Sequence, residues 1–133
     1  QVMAYNNQCK FTSVVATVNT GALKDAITAA GIIEGTSEQQ RIEAVIAMIR
    51  DDILAFTGHR DYSSLPAQWR PASFALIAQP FDESNGLINS TLKLVRHKVS
   101  EVYKNRIDEI YASGMADPFT TGNRQAVRDL ALW

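Results

Sequence analysis

Lys93, Arg96, His97 and Lys98 stand close together in a sequence that is otherwise evenly charged. They fall where a polar turn gives way to a helical pattern, so they crowd the start of a helix. Cations usually gather at the other end, because the helix start already carries unpaired N–H groups and the positive end of the dipole. Such a placement attracts an anion, and a phosphate or carboxylate is the natural partner. The plainer reading is a solvated helix face. Glu101 lies three residues after Lys98 and Asp108 four after Lys104, so part of this charge pairs along the helix. Lys93 and Arg96 have no acidic residue three or four positions on, which leaves them free to face something else. His59-Arg60-Asp61 is a second cluster with catalytic residue types. Three adjacent side chains rarely converge on one point, and a polar loop explains them with less. Cys9 has no neighbouring histidine and reads as structural rather than nucleophilic. His59 and His97 lack the partners of a zinc site, and there is no Gly-rich phosphate loop.

The elements that must position Lys93 run from Phe81 to Tyr111. Asp82-Glu83-Ser84-Asn85-Gly86 reads as a turn, with Gly86 permitting its backbone geometry. Beyond Lys93, Val95, Val99, Val102, Tyr103, Ile107 and Ile110 recur at helical spacing and predict one helix, whose Tyr103 and Tyr111 pack it to a sheet. Upstream, residues 2–6 and 10–18 are rich in β-branched and aromatic residues around Asn6-Asn7-Gln8, which predicts a hairpin. Asn19-Thr20-Gly21 caps a short helix from Ala22 to Ala30, closed by Gly31. Thr36-Ser37-Glu38-Gln39 has the form of a capping box opening a longer helix. That helix carries Ile42, Val45, Ile46, Ile49, Ile53 and Phe56 on one face, with Glu38, Arg41, Glu43, Arg50 and Asp51 as its wet side. The connection from Gly58 to Pro71 is rich in breakers, with Trp69 as a packing anchor beneath it. Residues 72–79 form an apolar run of strand length, and Asn123 could cap a last helix from Arg124 to Leu132. The expected fold is α+β: a small, largely antiparallel sheet of about three strands with two or three main helices, two of them covering one face.

The chain has 133 residues, 46% apolar and 20% charged, which suits one domain with a modest core. A net charge of −1 argues against a nucleic-acid surface. One cysteine cannot form an internal disulfide, in keeping with a reducing compartment. No apolar run approaches the ~18–20 residues of a transmembrane helix, and no secretory signal opens the chain. The chain starts at Gln1 rather than Met, as a fragment or a processed chain would.

The stretch FDESNGLINSTLKLVRHKVSEVYKNRIDEIY resembles the C-terminal motif of AMP-forming long-chain fatty acid–CoA ligases, in the adenylate-forming superfamily. Phe81, Asn85-Gly86-Leu87, Thr91-Leu92-Lys93, Arg96, Tyr103 and Ile110-Tyr111 follow the family's order and spacing. The close match covers about a quarter of the chain, and QVMAYNNQCKFTSVVATVN is more loosely similar to the first strands of the same subdomain. In those ligases the lysine loop usually reads Leu-Thr-Pro-Thr-Leu-Lys-Leu-Lys-Arg; here Ser90 stands at the proline and Val95 at the second cation.

The resemblance implies that residues 1–133 are a single C-terminal lid subdomain, partnered by its own N-terminal adenylation domain. The family's Tyr-Gly-x-Thr-Glu, Thr-Gly-Asp and Ser/Thr/Gly-rich phosphate motifs, which belong to that domain, are not in this chain. Family enzymes join a fatty acid to ATP as an acyl-adenylate, releasing pyrophosphate, and then pass the acyl group to CoA, with Mg²⁺ accompanying the ATP phosphates. Lys93 matches the lysine that the rotating lid contributes to adenylation. Arg96 is the second residue, either orienting the lysine loop or pairing across the domain interface. A cytoplasmic enzyme follows, with peripheral membrane contact compatible with it, and the 133 residues alone are expected to be inactive. Two alternatives stay open: the lid of a ligase that charges a carrier protein instead of CoA, and a stand-alone, non-catalytic module of the same fold.

Overall fold

A computed structural model describes residues 1–32, 35–62 and 64–133, with the backbone alone at Phe56 and Thr57. The expected core position of Phe56 therefore lies outside the described side chains. The architecture is α+β, built on a three-stranded sheet in the order β1-β2-β3. Strand β1 (Val2–Tyr5) and strand β2 (Thr12–Ala16) form the expected antiparallel hairpin, with Met3 opposite Val15. Strand β3 (Pro71–Leu76) lies beside β2 but parallel to it, with Val14 opposite Phe74 and Ala16 opposite Leu76. The sheet is therefore mixed rather than largely antiparallel. The reason lies in the connection: β2 leads into helices α1 (Thr20–Ala29) and α2 (Glu38–Leu54), and a helical crossover returns the chain in the same direction.

Local capping follows the sequence at α1 and, displaced by one residue, at α2. Asn19 accepts from the Ala22 N–H at the start of α1, and Gly31 past its end has φ +65°. The capping box of α2 is shifted one residue from its expected place: Ser37 is the cap, and its reciprocal partner is Gln40. Two helices were expected over one face of the sheet, but both faces are covered. On one face Val14, Ala16, Phe74 and Leu76 pack against α1, α2 and helix α5 (Thr121–Asp129). On the other Met3, Val15, Ala75 and Ile77 meet Phe81, Leu87 and helices α3 (Arg96–Val102) and α4 (Lys104–Ala112). Each strand residue alternates between two cores, which is why all five residues of β2 are buried.

Three expectations of packing are corrected. The single helix after Lys93 is two, α3 and α4, divided at Tyr103 (φ −103°, ψ 21°). Val95, Val99, Tyr103 and Ile107 are spaced by four, which runs ahead of a 3.6-residue turn. The break keeps Val99, Ile107 and Ile110 buried and leaves Val102 61% exposed. Trp69 is 66% exposed rather than an anchor, because the three-residue 3-10 turn that holds it lies outside both cores. The charged side of α2 is not simply wet, because the C-terminal segment docks on it. Arg124 Nη2 lies 3.4 Å from Glu43, Arg128 Nε 3.6 Å from Glu38, and the Arg41 guanidinium 5.0 Å over the Trp133 ring.

Candidate functional site

Lys93 is carried by a segment that is fastened at both ends. At the start, the Gln1 side-chain amide donates to Phe81 O and accepts from Phe81 N, each at 2.8 Å, so a carboxamide pairs with a peptide as a strand would. Phe81 is buried, with the Tyr103 ring 6.0 Å away. The expected turn follows. The Asp82 carboxylate accepts from the Ser84 hydroxyl (2.7 Å) and the Asn85 N–H (2.9 Å), and these bonds hold its carboxyl below the usual carboxylate range. Asn85 Oδ1 accepts in return from Asp82 N and Leu87 N, and Gly86 takes φ +70°.

Residues 87–95 then make a narrow hairpin. Ile88 bridges Leu94, and Val95 N donates to Leu87 O at 2.8 Å. Its tip is residues 89–93, where Leu92 has φ +59° and is 79% exposed. The side chain of Lys93 is exposed and has no partner among the described residues. Arg96, at the first position of α3, is engaged: its Nη2 donates to Ala4 O on β1 at 2.6 Å. The structure therefore does not bring Lys93 and Arg96 to a shared partner. The expected freedom holds for Lys93 and not for Arg96. His97 and Lys98 are exposed as well. No ion pair joins Lys98 to Glu101 among the described residues, whereas Lys104 does pair with Asp108. The Lys98 ammonium instead lies over the turn, 2.8 Å from where a Cβ on Gly86 would stand.

Tyr111 and Tyr103 pack α4 and the end of α3 to the sheet side as expected. The Tyr111 hydroxyl lies 2.8 Å from Ser13 Oγ and 2.9 Å from Phe11 O, and burial pushes it above its ordinary pKa. His59, Arg60 and Asp61 form an exposed 3-10 turn region in which His59 Nδ1 accepts from the Asp61 N–H at 3.3 Å. A groove of about 390 Å³ opens between α1, α2 and the end of β2, and no residue from 81–111 lines it. Among the described residues no group of three His, Cys, Asp or Glu could hold a metal ion. Among the described residues no helix is long and apolar enough to cross a membrane.

One organising residue escaped the sequence reading. Asn123 does not cap the last helix; Thr120 does, three residues earlier, accepting from Asn123 N. Asn123 is buried within α5 and uses its whole side-chain amide. Its Nδ2 donates to Phe74 O and Pro118 O, and its Oδ1 accepts from Leu76 N and from Arg106 Nη2. The available signal was Thr120, itself a cap-forming type three residues before Asn123, and its use as the cap places Asn123 inside the helix.

No family model, curated protein or solved structure matches the chain. A functional reading rests on its own residues and on the resemblance of the 81–111 stretch.

Proposed function

We propose that the chain is the C-terminal lid of an AMP-forming fatty acid–CoA ligase and that Lys93 is its adenylation cation. The observation that carries this reading is the contrast at the hairpin tip. Lys93 is exposed and uncommitted, while the backbone on either side of it is fastened by hydrogen bonds. A fastened loop with one unpaired ammonium is suited to meet an anion supplied by another domain. When a carboxylate attacks the α-phosphate of ATP, two anionic groups are forced together and negative charge builds between them. A lysine presents a compact point charge on a long stem that can reach both, and it stabilises most where charge develops.

ATP phosphates fit Lys93 by charge. The described residues hold no cluster for Mg²⁺, so in this reading the metal, the nucleotide and the acyl chain are held by the adenylation domain, and CoA enters after the lid turns. Arg96 would hold the hinge side of the loop to β1 through Ala4 O.

The test is Lys93→Ala in the enzyme in which this chain follows its adenylation domain. The two half-reactions are read separately, as ATP–pyrophosphate exchange and as thioester formation from preformed acyl-adenylate. Exchange should fall about a hundred- to a thousandfold, equivalent to about 2.7–4 kcal/mol, with thioester formation largely spared. Undiminished exchange overturns the proposal, and so does acyl-CoA synthesis by the purified 133 residues.

A further inference from the structure

Both backbone polar groups of Lys93 are bound by one residue. The Lys93 N–H donates to Asn89 Oδ1 at 2.9 Å, and Lys93 O accepts from Asn89 N at 2.9 Å. The same Oδ1 accepts from the Thr91 N–H (3.1 Å) and the Thr91 hydroxyl (2.8 Å), and Asn89 O accepts from Leu92 N (2.9 Å). Five bonds thus run from Asn89 to the three residues that set where Lys93 points. One of those three, Leu92, sits at φ +59°, a left-handed conformation that a leucine adopts only when its surroundings impose it. Ser90, which precedes it in the loop, is not a proline and fixes no backbone angle.

Resting on the reading of Lys93 given above, we infer that Asn89 is the positioning residue of the lysine loop. Its side-chain oxygen is the hub on which the tip of the hairpin turns, and the Lys93 side chain leaves that hub toward solvent. The residue type suits the task. An aspartate would offer the same oxygen with a negative charge beside the ammonium, and an alanine would offer none. A serine or threonine hydroxyl is shorter and reaches fewer of the three donors.

The experiment uses Asn89→Ala, Asn89→Asp, Lys93→Ala and the Asn89→Ala/Lys93→Ala pair. In the ligase, Asn89→Ala should lower kcat for ATP–pyrophosphate exchange about ten- to a hundredfold, the scale on which a misplaced reacting group acts. The KM for ATP and for the fatty acid should change less than about threefold, and thioester formation should be unaffected. In the Lys93→Ala background, Asn89→Ala should remove nothing further, because it acts only through Lys93. Amide hydrogen exchange in the full chain supplies the structural readout. Asn89→Ala should speed exchange at Thr91 and Lys93 while leaving Val95 and Val99 protected. Asn89→Asp, which keeps the acceptor, should retain that protection while the carboxylate beside the ammonium lowers the ATP–pyrophosphate exchange rate.

Full exchange activity in Asn89→Ala, or a further loss on top of Lys93→Ala, overturns the positioning role while leaving Lys93 in place. An undiminished Lys93→Ala enzyme removes the catalytic reading and this inference with it.

Discussion

The two outer edges of the sheet are closed by the same device at different depths. Hydrogen-bond alternation turns the backbone of Phe74 and Leu76 away from β2, at one edge, and that of Val2 and Ala4 outward at the other. An open edge is a template for unwanted pairing. On β3 it is filled by the Asn123 carboxamide, which donates to Phe74 O and accepts from Leu76 N as a fourth strand would. Arg106 Nη2 then takes Leu76 O and Asn123 Oδ1, and the Glu109 carboxylate accepts from Gly122 N at the start of α5. On β1 a single exposed arginine, Arg96, donates to Ala4 O, and Val2 is left 62% exposed. The buried closure joins α4, α5 and β3 and every member depends on the others. The exposed one can exchange with water at little cost. Depth, rather than the count of bonds, separates a structural edge from one that can be released.

The largest effect should come from breaking the buried edge. Asn123→Ala leaves Leu76 N, Phe74 O and Pro118 O without partners and strips a ligand from a desolvated guanidinium. It should cost about 3–5 kcal/mol, read as a lower urea midpoint at constant m value. A loss under about 1 kcal/mol would mean that water replaces the amide and that the two edges are alike.

A second measurement asks what holds the β1 side if its edge is only latched. Tyr111 reaches the end of that hairpin through Ser13 Oγ and Phe11 O, and burial raises its pKa above the ordinary 10.0. A phenol with a raised folded pKa binds its proton more tightly when folded. Its contribution is therefore fully present below the unfolded value and lost as pH rises through the folded one. Thermal stability should fall above pH 10.0, and Tyr111→Phe should flatten that fall after losing about 1 kcal/mol at neutral pH. Tyr103, also raised by burial, keeps some slope in the variant. An unchanged alkaline profile in Tyr111→Phe would assign the β1 side to packing alone.

The smallest effect belongs to Arg96→Ala. Removing one exposed bond to Ala4 O should cost less than about 1 kcal/mol by the same urea measurement. A loss comparable to that of Asn123→Ala would erase the distinction between the edges.

Much of the fold is legible in the residues because it depends on neighbours a few positions apart. The hairpin around Asn6-Asn7, the cap at Asn19, the capping box of α2 to within one residue, the apolar face of α2 and the Asp82–Gly86 turn all come from contacts of this short range. Lys93 is legible for a similar reason: it lacks an acidic neighbour at helical spacing and remains unpaired in the fold. Arg96 shares that local signature, yet its partner Ala4 lies 92 residues away in sequence. Asn123 resembles a cap by type, and its role appears only when β3 is beside it, 47 and 49 residues away.

What the sequence determined by itself is therefore most of the elements, the cap of α1, the polar turns and the lysine left without a local counter-charge. The tertiary structure decided that β3 runs parallel to β2, that helices cover both faces, that the charged side of α2 receives the C-terminal segment, and which side chains close the edges. Helix and turn preferences are settled by bonds spanning three or four residues. Strand direction and edge closure depend on chain segments that meet only after long loops have closed, when each buried polar group must be matched by whatever donor or acceptor the fold brings to it.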